Sequence, residues 1–204
     1  ICNICHNYQN KIDRYNFSKV KEKKNLMNLK KKILINKNNS KYDCLIGVSG
    51  GLDSTYSAFL SYKIGLKALL VTVDNGWSNT VSHANLSKLI DYTKFDFHSI
   101  HLNWEIFKRM QKNLLLKSYP DIEILSDHFI FSNLYTTAKK RNINCIINGL
   151  NFRSEHSNTK DLGWNKRDGS HIQHVLNNIK GEKELEFYPY YKFLYLSKMT
   201  KLQE

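Results

Sequence analysis

The chain is short of the residues that would make it fibrous, disulfide-stapled or membrane-spanning. Two prolines, Pro120 and Pro189, and nine glycines in 204 residues exclude a collagen-like repeat and a proline-rich spacer. Four cysteines, Cys2, Cys5, Cys44 and Cys145, do not make a disulfide framework. The last two fall inside apolar, strand-like segments, so a reducing cytoplasm is the expected setting. No apolar run approaches the roughly 18 residues of a membrane-spanning helix, and no internal repeat is present. Arginine, the better reader of phosphates and bases, occurs only five times.

What is abundant is lysine, and its placement matters. The formal charge is +13. Residues 1–41 hold eleven Lys or Arg against two acids, net +9, whereas residues 42–204 hold twenty against sixteen, net +4. The excess therefore sits outside the segment that carries the chemistry, beside frequent Asn and Ile, as an AT-rich coding sequence would give. Nucleic acid is not the expected partner.

The length suffices for one sizeable core with an appendage. The chain begins with Ile1 rather than Met and runs to Glu204 without a terminating pattern, which reads as a fragment of a longer protein. Residues 1–40 form the expected N-terminal appendage: the pair Cys2-x-x-Cys5, an aromatic patch (Tyr8, Tyr15, Phe17), and a lysine-rich helix from Val20 to Ile35, closed by a linker over 37–40. Residues 41–204 then change period and read as a single domain. Strands are expected at Asp43 to Val48, Ala68 to Asp74, Phe95 to Leu102 and Asn144 to Gly149. Helices are expected at Ser54 to Ile64, Asn79 to Tyr92, Trp104 to Lys117 and Asp127 to Arg141. The order βαβαβααβ predicts an α/β fold, a parallel sheet with helices on both faces, whose ligands lie beyond the carboxyl ends of the strands.

Those strand ends carry the informative residues. Ser49-Gly50-Gly51-Leu52-Asp53-Ser54 joins the first strand to a helix, and a glycine turn at a helix start is an anion site. Backbone N–H groups come close to phosphate oxygens, and the helix adds unpaired N–H groups and the positive end of its dipole. Ser49 and Ser54 add hydroxyls, while Asp53 suits a helix cap or a magnesium ion. The pattern is neither G-x-x-x-x-G-K-[ST] nor G-x-G-x-x-G. The second strand ends in Asp74-Asn75-Gly76-Trp77, where Asp74 can accept from a ribose or an adenine amino group or simply close a turn. The fourth ends in Asn148-Gly149-Leu150-Asn151. Asp127-His128, after Ser126, reads either as a helix N-terminus or as a substrate contact. The polar stretch from Asn151 to Lys183 carries Arg153, Glu155, His156, Trp164, Arg167, Asp168, His171 and His174 and is expected to be a functional loop over the crevice.

The motif SGGxDS resembles the pyrophosphate loop of the PP-loop ATP pyrophosphatases, an adenine nucleotide α-hydrolase-like fold. Over nearly its whole length the chain resembles the N-acetyl sugar amidotransferase family within that group. The likeness is carried by Asp43-Cys44-Leu45-Ile46-Gly47-Val48 before the loop, Asp74-Asn75-Gly76-Trp77, Pro120-Asp121-Ile122-Glu123 with Asp127-His128, and Asn148-Gly149-Leu150-Asn151. It departs at Leu150, where the family usually has threonine. The resemblance implies a ligase that uses ATP and Mg2+ to turn an acetamido into an acetamidino group in lipopolysaccharide O-antigen synthesis. It places Ser49, Gly50, Gly51, Asp53 and Ser54 at the pyrophosphate and Asp74, Gly149 and Asn151 at the nucleotide. Asp53, Ser54, Asp127 and His128 are the implied catalytic residues, with Arg153 and Glu155 facing the sugar. It also implies that Cys2 and Cys5 are half of a four-cysteine Zn2+ module. No cysteine stands on a turn next to a base, so ammonia is expected from a separate glutaminase. The competing expectation is a tRNA-modifying enzyme with the same activation chemistry, suggested by the Cys pair and the basic N-terminal segment.

Overall fold

A computed structural model of the chain describes residues 2, 5, 6, 8–10 and 19–150. The segment 151–183, and with it Asn151, Arg153 and Glu155, lies outside the described residues, as do Tyr15 and Phe17. Helix α1 (Lys19–Ile35) leads into β1 (Cys44–Gly47), α2 (Leu52–Lys63), β2 (Ala68–Asp74), α3 (Thr80–Thr93), β3 (Asp96–His101), α4 (Trp104–Leu116), α5 (Ile124–Lys140) and β4 (Ile146–Ile147). The expected alternation is the one observed. The strands make one parallel sheet in the order β3-β2-β1-β4.

Strands β1 and β2 are central, covered on both faces, and therefore apolar without alternation. The pleat sends Cys44, Ile46, Val48, Ala68 and Leu70 to one face, where Ile33 of α1, Ala58 of α2, and Leu86 and Leu89 of α3 bury them. Leu45, Leu69 and Val71 point the other way, onto Leu134 and Ala138 of α5. Helix α4 packs against α5: Phe107, Met110 and Leu114, spaced three and four apart, close on Ile124, Leu125 and Phe129. Burying a side chain of this size contributes about 1.5–3 kcal/mol, so α5 is held between the sheet and a second layer.

One element differs from its expected form. Strand β4 pairs over Ile146–Ile147 alone, because its flanks have other partners. The Asn144 side chain donates to Asn36 O at 2.8 Å and accepts from Asn38 at 2.6 Å, and Gly149 has turned toward α2. Helix α1 and the residues after it also touch the sheet domain. Ile33 is buried against the sheet, and Lys37 reaches Asp43 at 2.7 Å.

Candidate active site

The β1–α2 loop is shaped by backbone contacts. Gly50 has φ +78, and a Cβ there would lie 2.3 Å from the carbonyl oxygen of Ser82 on α3, so only glycine fits. Asn85 Nδ2 donates to Gly50 O at 3.0 Å, clamping the loop to α3. Within the loop, Ser49 N donates to Ser54 Oγ at 3.2 Å and the two hydroxyls stand 3.3 Å apart. Gly51 is the N-cap of α2 and supplies no side-chain cap. Leu52, Asp53 and Ser54, the first turn of α2, line the cavity.

Gly149 meets this loop from the end of β4, the strand beside β1. A Cβ on it would lie 2.6 Å from Ser54 N and 2.7 Å from Ser54 Cα. The closely approached group, left unnamed by the sequence pattern, is the first turn of α2. Helix α3 adds a third backbone element: Asn79 and Ser82 form a reciprocal capping box, with Ser82 N donating to Asn79 Oδ1 at 2.8 Å, and both residues line the cavity.

At the β2 end the structure divides the expected roles differently. Asp74 Oδ1 accepts from Gly76 N at 2.9 Å and from Ser78 Oγ at 3.4 Å, and Oδ2 stands 3.4 Å from His101 Nδ1. The Gly76 N–H and then His101 hold its carboxyl below the usual range, against the opposing pull of partial burial. Asp74 therefore closes the turn and does not line the cavity; Asn75 and Trp77 do. Neither was singled out as a site residue from the sequence, although both stand in the DNGW segment.

Helix α5 separates Asp127 from His128. The helix starts at Ile124 with Glu123 as N-cap, and Asp127 N donates to Glu123 O at 2.9 Å. Asp127 is thus inside the first turn, not a cap, and it lines the cavity. Its neighbour Ser126 takes a bond from Asn75 Nδ2 at 3.3 Å, tying α5 to the β2 end. His128, expected beside Asp127 on the substrate side, is 1% exposed. It lies edge-on to Phe129, ring centroids 5.7 Å apart. Burial lowers its pKa to about 4, so it is a neutral packing residue at physiological pH.

The cavity encloses about 500 Å³, in the range of small-molecule sites. Its described charged side chains are Asp53 and Asp127. Among the described residues no group of three or more His, Cys, Asp or Glu can hold a metal. Magnesium commonly takes one or two carboxylates and completes its shell with water and phosphate oxygens. The residues present therefore fit an ion carried with a nucleotide. Zinc does not fit the described residues. Cys2 and Cys5 are exposed with sulfurs 3.5 Å apart, but two thiolates fill only half of a closed tetrahedral site. Cys2 beside it raises the Cys5 pKa. No described helix is long and apolar enough to cross a membrane.

Sheet, loop and converging helix starts together make a parallel α/β fold of the PP-loop kind. The chain belongs to the family described as thiamine biosynthesis protein (ThiI), whose model matches residues 39–161. Among solved structures it is similar to an NH3-dependent NAD synthetase from Campylobacter jejuni in complex with the nitrate ion. Identity there is 16% and the TM-score 0.52, over 69% of this chain and 59% of that one. It is also similar to the NMN synthetase from Francisella tularensis, at 19% identity and TM-score 0.48 over 63% and 53%. This chain thus spans about six-tenths of the first of these and about half of the second, and the likeness to the first is one of fold. No curated protein matches the sequence.

Proposed function

We propose that the protein is an ATP-dependent amidotransferase that converts the acetamido group of an N-acetyl sugar into an acetamidino group, in cytoplasmic synthesis of a bacterial surface polysaccharide such as lipopolysaccharide O-antigen. The observation that carries this reading is the cavity itself. One end is a phosphate cradle of backbone and hydroxyls, the described charges are two carboxylates, and no described cysteine is on its lining. Such a site activates a neutral oxygen with ATP without a nucleophilic side chain.

The acetamido oxygen attacks the α-phosphorus while the α–β bridge breaks and pyrophosphate leaves with the bonding electrons. Ser49, Ser54 and the N–H groups at the start of α2 receive the charge that develops on the pyrophosphate, a preorganised stabilisation. Asp53 would hold a magnesium ion together with the phosphates, and that ion would supply further neutralisation. Asp127 takes the proton from the acetamido nitrogen. Ammonia then adds to the imidate carbon, the C–O bond breaks, and AMP departs. Rate comes mainly from holding the reacting atoms in line.

The ammonia comes from a partner glutaminase. A cysteine nucleophile for glutamine hydrolysis would have to react as a thiolate, and Cys44 is fully buried with its pKa pushed up to about 12, chiefly by that burial. Cys145 is raised by burial as well. A second reading is favoured by the exposed Cys2–Cys5 pair and the basic α1: adenylation of a tRNA base followed by thiolation or amination. Pyrophosphate release with ATP, magnesium and ammonium decides between them. Stimulation by nucleotide-linked N-acetyl sugars supports the amidotransferase, stimulation by tRNA alone supports the second reading, and glutamate release from glutamine by this protein alone would remove the glutaminase partner.

A further inference from the structure

The cavity has an aromatic wall that phosphate chemistry does not use. Trp77 leaves 66% of its surface exposed, yet it is held from two sides. Its Nε1 donates to Oε1 of the buried Gln111 at 2.7 Å, and its ring meets Trp104 edge-on, centroids 5.5 Å apart at 82°. Trp104 is in turn seated over Gly76, where a Cβ would lie 2.3 Å from its ring. An indole whose N–H is already bonded has only its ring left to offer. A rigid exposed ring at the edge of a polar cavity is an anchor for something apolar or carbohydrate-like.

A nucleotide base has another apolar wall open to it, because Ile130 and Phe131 of α5 are half-buried on the lining. Leu134 packs beneath the end of β1, where a Cβ on Gly47 would come within 2.8 Å of its Cδ1. Trp77 is tied instead to α4 through Gln111, and shares its wall with Asn75 and, through Ser126, with Asp127. Because the described charges of the lining are both negative, a neutral ring is favoured on this wall over an anionic group.

We propose that Trp77 is the acceptor-recognition residue of the site: the C–H face of a neutral N-acetyl sugar ring stacks on the indole, which directs the acetamido group toward Asp127 and the α-phosphate. The inference rests on the amidotransferase reading. Its test compares wild type with Trp77→Phe and Trp77→Ala, using UDP-N-acetylglucosamine as acceptor and varying acceptor and ATP separately. Trp77→Ala is expected to raise the acceptor KM at least about tenfold, with the ATP KM within about twofold and Trp77→Phe intermediate. Quenching of tryptophan fluorescence by the sugar is expected in the wild type and should be lost in Trp77→Phe, a readout that does not depend on turnover. An unchanged acceptor KM in the alanine variant, or a rise in the ATP KM instead, overturns the assignment while the amidotransferase reading stands. A wild type that neither releases pyrophosphate with N-acetyl sugars nor shows the quench overturns both.

Discussion

Around the loop after β1 the decisive contacts are between backbones, whereas the wall made by the β2 end and α5 is built from side chains. Gly50 against Ser82 and Gly149 against Ser54 leave no room for a Cβ, and the groups offered to a ligand are N–H and hydroxyl. On the other wall, Asn75, Trp77 and Asp127 present an amide, an indole and a carboxylate. On the proposed reading, the difference follows from what each wall would recognise. A triphosphate is the same in every reaction of this kind, and a backbone cradle binds it through charge and geometry alone. An acceptor varies, and exchangeable side chains on a fixed scaffold can follow it.

Four experiments break or sharpen that comparison. The largest effect is expected for Asp53→Ala, which should lower pyrophosphate release by about two to three orders of magnitude. Circular dichroism should stay unchanged, because Asp53 is exposed at a helix start; full activity would remove it from the site. Gly149→Ala should reduce release about 100-fold by pushing the first turn of α2 aside, with a local strain on the order of 1–3 kcal/mol read as a lower Tm. A variant with normal kinetics would show that this backbone contact is dispensable. Asp127→Asn should slow acceptor-dependent turnover by about 10–100-fold and leave ATP binding intact, whereas a matched loss of ATP binding would move Asp127 to the nucleotide end.

The smallest effect separates His128 from its neighbour. Burial depresses the folded pKa of His128 from 6.5 to about 4, so between those values the unfolded chain binds a proton that the folded chain refuses. Stability is full above about pH 6.5 and falls as the pH drops toward 4, by about 3 kcal/mol in all. In His128→Leu, equilibrium denaturation over this range should lose that part of the pH slope, while the kinetic pH profile keeps its shape. An altered kinetic profile would return His128 to catalysis.

Much of this architecture was legible in the sequence. Apolar runs without alternation marked β1 and β2, the 3.6 period marked α4, and the glycine pair between strand and helix marked the phosphate end. Element limits were less legible. Helix α2 starts at Leu52 and α5 at Ile124, each two or three residues before the expected start, because a backbone turn rather than a side-chain cap begins them. Neither Asn85 nor Ser82 carried any local signal; their importance arises because α3 happens to rest on the loop.

The sequence by itself determined that this is a parallel α/β domain with a phosphate-binding loop, since pleat alternation, helical period and glycine placement are local properties of the chain. Only the tertiary structure decided that Asp127 faces the cavity while His128, one residue on, is buried. Neighbours on a helix point about 100° apart, and which direction meets solvent depends on what packs against α5. It likewise decided that Asp74 closes a turn while Trp77 stands at the wall, because His101, Gln111 and Trp104 reach these residues from distant parts of the chain.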